Sequence, residues 1–572
     1  MKSIKSEVNS SQFYVLVRHF VLRLFKNDIL KYENQRLERV VVVLAILSIA
    51  GGYITHKLIS PYLYPGLSGV TAAAIWVKKT VFLTLTMALT GIITVFSWEN
   101  IFPDRKDYMN LLVLPVKMRT LFAAKFFSLL VFVGLISIAF NIFSLFMFTF
   151  YLAPFKKVNL FYFGFSHFIT NFLANLFVFL AAACIKSIFT ILLKNRLLAK
   201  FSNIIQAALL VGFIWVIVWL PQIHSQLPAA KEKLSSFFYY FPPLWFTGIY
   251  EKMIGSSDVV FIPHILIAVT AIIITTALYL VSFPISFKRF LSSGKDSGRK
   301  KSVLVQRLIG FARRFFDSIF LKHSIQRGMF YFVCQALKRS RKHQLQLVTY
   351  MALPFAYIIA DLVYFHSRTG WSSFRVPNFF LVGASLIFYF FLAAGLRMIV
   401  RHPIMLSANW IFQLTERNEK KHYMKGIKKA FLFLLGFPLF IGLFIFYLYC
   451  WGFQLAVFHS FYSAAIFLWL LEMFFNTYKK IPFAGEFEPG KPNIKIYWPL
   501  ILGGFLEWYV LLSNIGLILL NWPKYYILFF LVIFVLHWGF VFRRYREYKN
   551  EDFGFIYDEE PRELMLSLNI TK

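Results

Sequence analysis

Cysteine and acidic side chains are the scarce residues of this chain. Cys184, Cys334 and Cys450 are the only 3 cysteines in 572 residues. They stand far apart, form no CxxC pair and match no cysteine zinc-ligand spacing, so a disulfide framework is not expected. Asp and Glu number 26 against 61 Lys and Arg, and charged residues make up 15% of the chain. Soluble proteins carry about 25%, so a fully hydrated surface cannot be built from this composition. No HExxH occurs, and no Ser-His-Asp set can be drawn from the sequence, which removes two common hydrolase signatures. No cleavable signal peptide is expected. The N-terminal region is too charged and has no short apolar core before a small-residue site.

What the chain has in abundance is apolar length. Hydrophobic residues reach 59% and aromatics 20%, with a mean hydropathy of +0.64. Runs of about 20 apolar residues match a hydrocarbon core of about 30 Å. About twelve such runs occur, near 40–58, 80–98, 126–151, 160–185, 203–221, 259–287, 346–366, 378–400, 429–450, 454–475, 498–520 and 524–542. Lipid offers no partner to a backbone amide, so each run must close its own hydrogen bonds as a helix. The expected fold is an all-α integral membrane protein with about 12 transmembrane helices.

The net charge of +35 raises nucleic acid as a partner, but the distribution argues for topology. With the N-terminus placed in the cytoplasm, only about eleven cations fall on the outer side: Lys57, Lys78, Lys79, Lys156, Lys157, Lys231, Lys233, Lys252, Arg368, Arg375 and Lys524. The others gather inside. This positive-inside bias, together with contact to anionic lipid, accounts for the charge without nucleic acid. An even number of spans also returns the C-terminus to the cytoplasm. The chain is therefore expected to be multi-pass in the inner membrane.

The spans divide into two halves, 1–287 and 311–543, joined by a basic linker at 288–310 that contains Ser292, Ser293, Gly294, Lys295 and Gly298. A cytoplasmic tail occupies 544–572. Each half opens with an amphipathic segment expected to lie in the interface as an elbow helix. The first, about 11–36, aligns Phe13, Leu16, Val17, Phe20 and Leu24 on one face, opposite Arg18, His19, Arg23 and Lys26. The second, about 311–345, carries Phe311, Phe315 and Ile319 in a stripe that Leu308 begins just before it, and Phe330, Val333, Cys334 and Leu337 in another. FYVLVRHFVLRLF from Phe13 and FYFVCQALKRSRK from Phe330 are weakly alike, as a parallel tandem repeat would require.

Three connecting segments are more than turns. FPDRKDYMNLLVLPVKMRTLFAAK, Phe102 to Lys125, reads as a short surface helix: Asp104 and Asp107 mark its N-terminus, Tyr108, Leu111 and Leu112 share a face, and Pro115 stops it. Helix capping and dipole compensation explain Asp104 and Asp107 better than a metal-binding DxxD pair. RHPIMLSANWIFQLTERNEKKHYMKGIKK, Arg401 to Lys429, suggests a second surface helix. SSFFYYFPPLWFTGIYEKMIG, Ser235 to Gly255, is too aromatic for a hydrated loop and is expected to dip back into the outer interface, with Pro242, Pro243 and Trp245 at its centre. The matching position of the second half, Asn521 to Lys524, allows only a tight turn.

The elbow, six spans, a surface helix after the second span and a re-entrant segment before the sixth resemble the permease subunits of type-2 ABC exporters. Large tandem bacterial permeases carry strings similar to FPDRKDYMNLLVLPVKMRTLFAAK, FPPLWFTGIYE, SANWIFQLTE and KIPFAGEFEPGKPN. The resemblance implies a permease without ATPase activity of its own. ATP and magnesium would sit on separately encoded ATPase subunits, two for a fused chain. Those subunits would dock near Asp104, Arg105, Asp107, Tyr108 and Leu111 in one half, and near Trp410, Gln413 and Glu416 in the other. The cargo would be hydrophobic or amphiphilic. The absent second re-entrant segment departs from the family pattern.

One motif imitates an ATP site. Gly485 to Lys491 fits GxxxxGK, but Pro492 stands where a phosphate loop needs Ser or Thr, and no strand precedes it. It reads as a structural loop. Five ionisable residues fall in or near apolar runs: Asp361, Arg397, Glu472, Glu507 and His537. Glu472 and Glu507 are the candidates for facing a transport pathway or each other. A structural contact between the tenth and eleventh spans would also explain them. The rival reading, a proton-coupled secondary transporter, would need one of these carboxylates to carry protons.

Overall fold

The computed structural model describes residues 12–22, 36–63, 75–98, 117–192, 195–256, 258–292, 314, 316–369, 375–402, 409–416, 419–476, 478, 480–483, 494–549 and 555. Among these the chain is helical, with no strand. Eleven helices are long and apolar enough to cross a membrane, and the protein is a multi-pass membrane protein. A further helix, Arg36–Leu63, covers the stretch expected as the first span, although it is not among the eleven. The chain divides into two compact units, Met1–Ser297 and Gly298–Lys572, and the division falls inside the basic stretch 288–310.

The first unit contains α1 (Gln12–Leu22), α2 (Arg36–Leu63), α3 (Ile75–Phe96), α4 (Met118–Lys156), α5 (Leu160–Leu192) and α6 (Asn195–Val218). Three short helices follow, α7 (Leu220–Glu232), α8 (Ser236–Tyr240) and α9 (Pro242–Met253), and then α10 (Ile262–Ser292). The apolar residues of α1 pack inward: Leu16 and Phe20 are buried with Leu121 and Ala124 of α4, flanked by Phe13 and Val17. Leu24 lies outside the described residues. The Lys125 ammonium sits 4.8 Å from the Phe20 ring centroid, so the junction gains cation–π attraction as well as burial. α2 approaches α4 at Gly51, where a Cβ would stand 2.4 Å from the Phe140 carbonyl oxygen. Only glycine allows backbones to meet this closely.

The second unit contains α11 (Ser324–Arg339), α12 (Arg341–Thr369), α13 (Phe379–Ile399), α14 (Asn409–Thr415), α15 (Lys420–Phe431), α16 (Phe437–Trp451), α17 (Phe453–Phe475), α18 (Ile494–Asn521) and α19 (Tyr526–Lys549). α13 is its centre: from Leu381 to Ile399 every residue is buried. α15 and α16 form one continuous helix through a π-turn at Leu432–Gly436. Of the residues expected to form a second elbow, Phe330, Val333 and Leu337 are buried in the core of this unit, and Cys334 packs against it. Ile319 is exposed, while Leu308, Phe311 and Phe315 lie outside the described residues. The connection between α18 and α19 is a single 3-10 turn, Pro523–Tyr525.

Candidate functional site

The aromatic segment between α7 and α10 folds as α8 and α9 rather than as an extended loop. Pro242 and Pro243 open α9, where their missing N–H groups cost nothing. The Trp245 indole donates to the Tyr239 carbonyl at 2.7 Å, tying α9 back to α8. Leu244, Phe246, Thr247, Tyr250 and Glu251 are all buried, and α9 packs against α3, α5 and α10. At Gly248 an added Cβ would lie 2.8 Å from His264 Cβ, so a small residue is required for α9 to seat against α10. This segment seats α9 as a wedge among α3, α5 and α10 of the first unit.

Its anchor is an ion pair. Lys79 of α3 donates to Glu251 of α9 at 3.0 Å, with side-chain exposures of 0% and 2%. The same ammonium lies 4.0 Å from the Tyr250 ring centroid and 4.8 Å from that of Phe163. A buried charge is tolerated only when paired and bonded, and this one meets a carboxylate and two ring faces. One residue on, the hydroxyls of Thr80 and Thr247 are 2.9 Å apart.

From Tyr250 a polar seam runs between α4 and α5. The Tyr250 hydroxyl lies 3.0 Å from His167 Nδ1, and His167 Nε2 lies 3.0 Å from the Ser144 hydroxyl. His167, Asn171 and Asn175 recur at i, i+4 and i+8 on α5. They face Ser137, Asn141 and Ser144 on α4, and all six are buried. The Asn175 amide reaches the Ser137 hydroxyl at 3.2 Å, and Asn171 Oδ1 lies 3.4 Å from the Thr86 hydroxyl on α3. Polar side chains at such interfaces hold helices together where lipid gives no hydrophobic drive. Sequence reading missed this seam, although its four-residue spacing inside an apolar run was the available signal.

The second unit repeats one element of the seam. His459 on α17 is fully buried, with Nε2 3.1 Å from the Ser385 hydroxyl on α13. His167 and His459 each stand near the start of the helix expected as the fourth span of its half. Where Tyr250 of α9 meets His167, Tyr447 of α16 meets His459, with ring centroids 4.6 Å apart. A residue of the neighbouring span thus stands where the first unit uses its wedge.

Glu472 is buried near the end of α17. It bonds the ammonium of Lys428 on α15 and has the Arg544 guanidinium of α19 at 3.9 Å. Its partners therefore come from α15 and α19, not from α18, the helix of the eleventh expected span. Glu507 is exposed on α18. An apolar cavity of about 330 Å³ between α13, α17 and α18 is lined by Phe390, Trp469 and Phe505 among others, and includes neither carboxylate. Arg397 is buried with its guanidinium 4.4 Å from the Tyr478 ring centroid. Tyr478 in turn donates to the Val400 carbonyl at 3.0 Å.

The foreseen docking residues are only partly visible. Asp104, Arg105, Asp107, Tyr108 and Leu111 lie outside the described residues. Trp410 and Gln413 fall on the helical backbone of α14. Glu416, just after α14, pairs with Lys420 at 2.7 Å and accepts from the Phe555 amide at 3.4 Å. The GxxxxGK loop, 485–491, is also outside the described residues. Comparison of the chain with protein-family models, with curated proteins and with solved structures finds no match.

Proposed function

We propose that this chain is the permease subunit of an ABC transporter, an exporter of a hydrophobic or amphiphilic substrate. Twelve spans in two halves place both termini in the cytoplasm. Two separately encoded ATPase subunits dock on the surface helices around Tyr108 and Trp410, and ATP and magnesium are bound there rather than by this chain. The observation that carries the reading is the α8–α9 wedge. A helical re-entrant segment, bonded by Glu251 to α3 and by Tyr250 to α5, gives partner-driven helix movements a rigid part to act on. The proton-coupled alternative draws little support from the carboxylates. Glu472 is held by Lys428 and Arg544, and Glu507 is exposed, so the pair forms no relay.

The deciding experiment is purification from native membranes followed by reconstitution. A copurifying ATPase, and cargo movement that requires ATP, are the expected results. A chain that purifies alone and moves amphiphilic cargo under a pH gradient without ATP would displace the proposal.

A further inference from the structure

We propose that His323, Glu419 and His422 form a binding site for a divalent transition-metal ion of the zinc class, clasping α11 to α15. Among the described residues these three offer donor atoms within 4.8 Å of one another. The two helices that carry them are held in register one turn away. A Cβ on Gly426 of α15 would stand 2.5 Å from the Gln326 carbonyl oxygen of α11, so the backbones cannot drift apart there.

Each ligand has a fixed origin. His323 is the residue before α11, and its carbonyl accepts from the Arg327 amide at 3.0 Å. Glu419 precedes α15 and accepts through its carbonyl from the His422 amide at 2.9 Å. Glu419 and His422 are thus i and i+3 on one turn, a spacing that helical metal sites use to converge a carboxylate and an imidazole. The His323 and His422 rings stack with centroids 3.7 Å apart, and His323 Nδ1 lies 3.9 Å from a Glu419 carboxylate oxygen.

The closure required is small. Ligands about 2.1 Å from a tetrahedral ion lie roughly 3.4 Å from one another. The side chains of His323 and Glu419 are 52% and 56% exposed, so they are free to rotate, and His323 can leave the stack and turn a nitrogen to the ion. The Gln326 side-chain amide lies 2.7 Å from His422 Nδ1. Turned so that its oxygen accepts from Nδ1–H, that amide would orient the ring and leave Nε2 for the ion.

The donor set selects the class of ion. Magnesium and calcium need several oxygen donors, and these three residues supply only one carboxylate. Two imidazoles and one carboxylate suit zinc and its neighbours, with a fourth position left for water or another ligand.

The test uses full-length protein purified without a histidine tag and stripped with a chelator. Zinc is then titrated in competition with a chromophoric chelator, and thermal midpoints are recorded with and without the metal. One zinc ion per chain and a raised midpoint are expected. His323→Ala and His422→Ala should each weaken binding roughly tenfold or more, and Gln326→Glu, which sets a carboxylate beside the His422 ring, should tighten it. No zinc uptake by the parent chain, or equal uptake by the folded His323→Ala/His422→Ala double variant, would overturn the proposal. Should the histidine variants fail to fold, unchanged zinc affinity in Gln326→Glu would overturn it instead.

Discussion

Lys79 and Glu251, 172 residues apart in sequence, form a 3.0 Å ion pair from which water is almost wholly excluded. The pair ties α9 to α3 in the interior of the first unit.

Breaking one side of this pair should be far more damaging than replacing both. Glu251→Gln or Lys79→Met alone leaves an uncompensated charge or a stranded polar group, at a cost of about 3–5 kcal/mol. Lys79→Met combined with Glu251→Leu should recover much of that loss. Thermal midpoints in detergent would check this. A double variant as unstable as the sum of the singles would show that the pair is not coupled.

The docking reading predicts that Tyr108→Ala and Trp410→Ala each reduce copurification of an ATPase while membrane insertion is preserved. Undiminished recovery of the ATPase with the combined variant would remove these segments as its contact sites.

Topology can be read with an impermeant thiol reagent on intact cells. Cysteines introduced at Ser225 and Thr369 should react, and one at Ser297 should not. Ser225 is exposed. Background from Cys334 should be low, since burial pushes its thiol up to about 11 and leaves little thiolate. Labelling at Ser297 would invert the assigned orientation.

Energy coupling separates the two transport readings. Glu472→Gln weakens the contact to Lys428 and should lower stability, and Glu507→Gln should do little. Neither should abolish ATP-dependent transport. In vesicles lacking any ATPase, robust cargo movement under a pH gradient that both substitutions eliminate would favour a proton-driven carrier.

The helices were legible because an apolar run of span length admits one backbone solution in lipid. The face of α1 was legible for a related reason, since Phe13, Leu16, Val17 and Phe20 recur at helical spacing. The polar contacts were not. Lys79 reads as one more cation at an outer helix end until Glu251 is brought against it. Glu472 reads as a partner for Glu507 or the eleventh span until the fold sets it between Lys428 and Arg544. Pairings of this range depend on which helices become neighbours, and apolar composition is silent on that. The seam from His167 to Asn175 is an intermediate case, because its period is visible but its partners on α4 are not.

The π-turn at Leu432–Gly436 acts as a phase adjuster. One residue more than an α-turn needs rotates everything beyond it by about 100°. Lys428 and Lys429, before the turn, can therefore address α17 and α11, while Tyr447 and Trp451, after it, still meet His459. Deleting a single residue from 432–436 would lengthen no loop and remove no charge. It would nevertheless force a choice between the two ends of this helix, with either the Glu472 contact or the His459 aromatic contacts rotated out of reach.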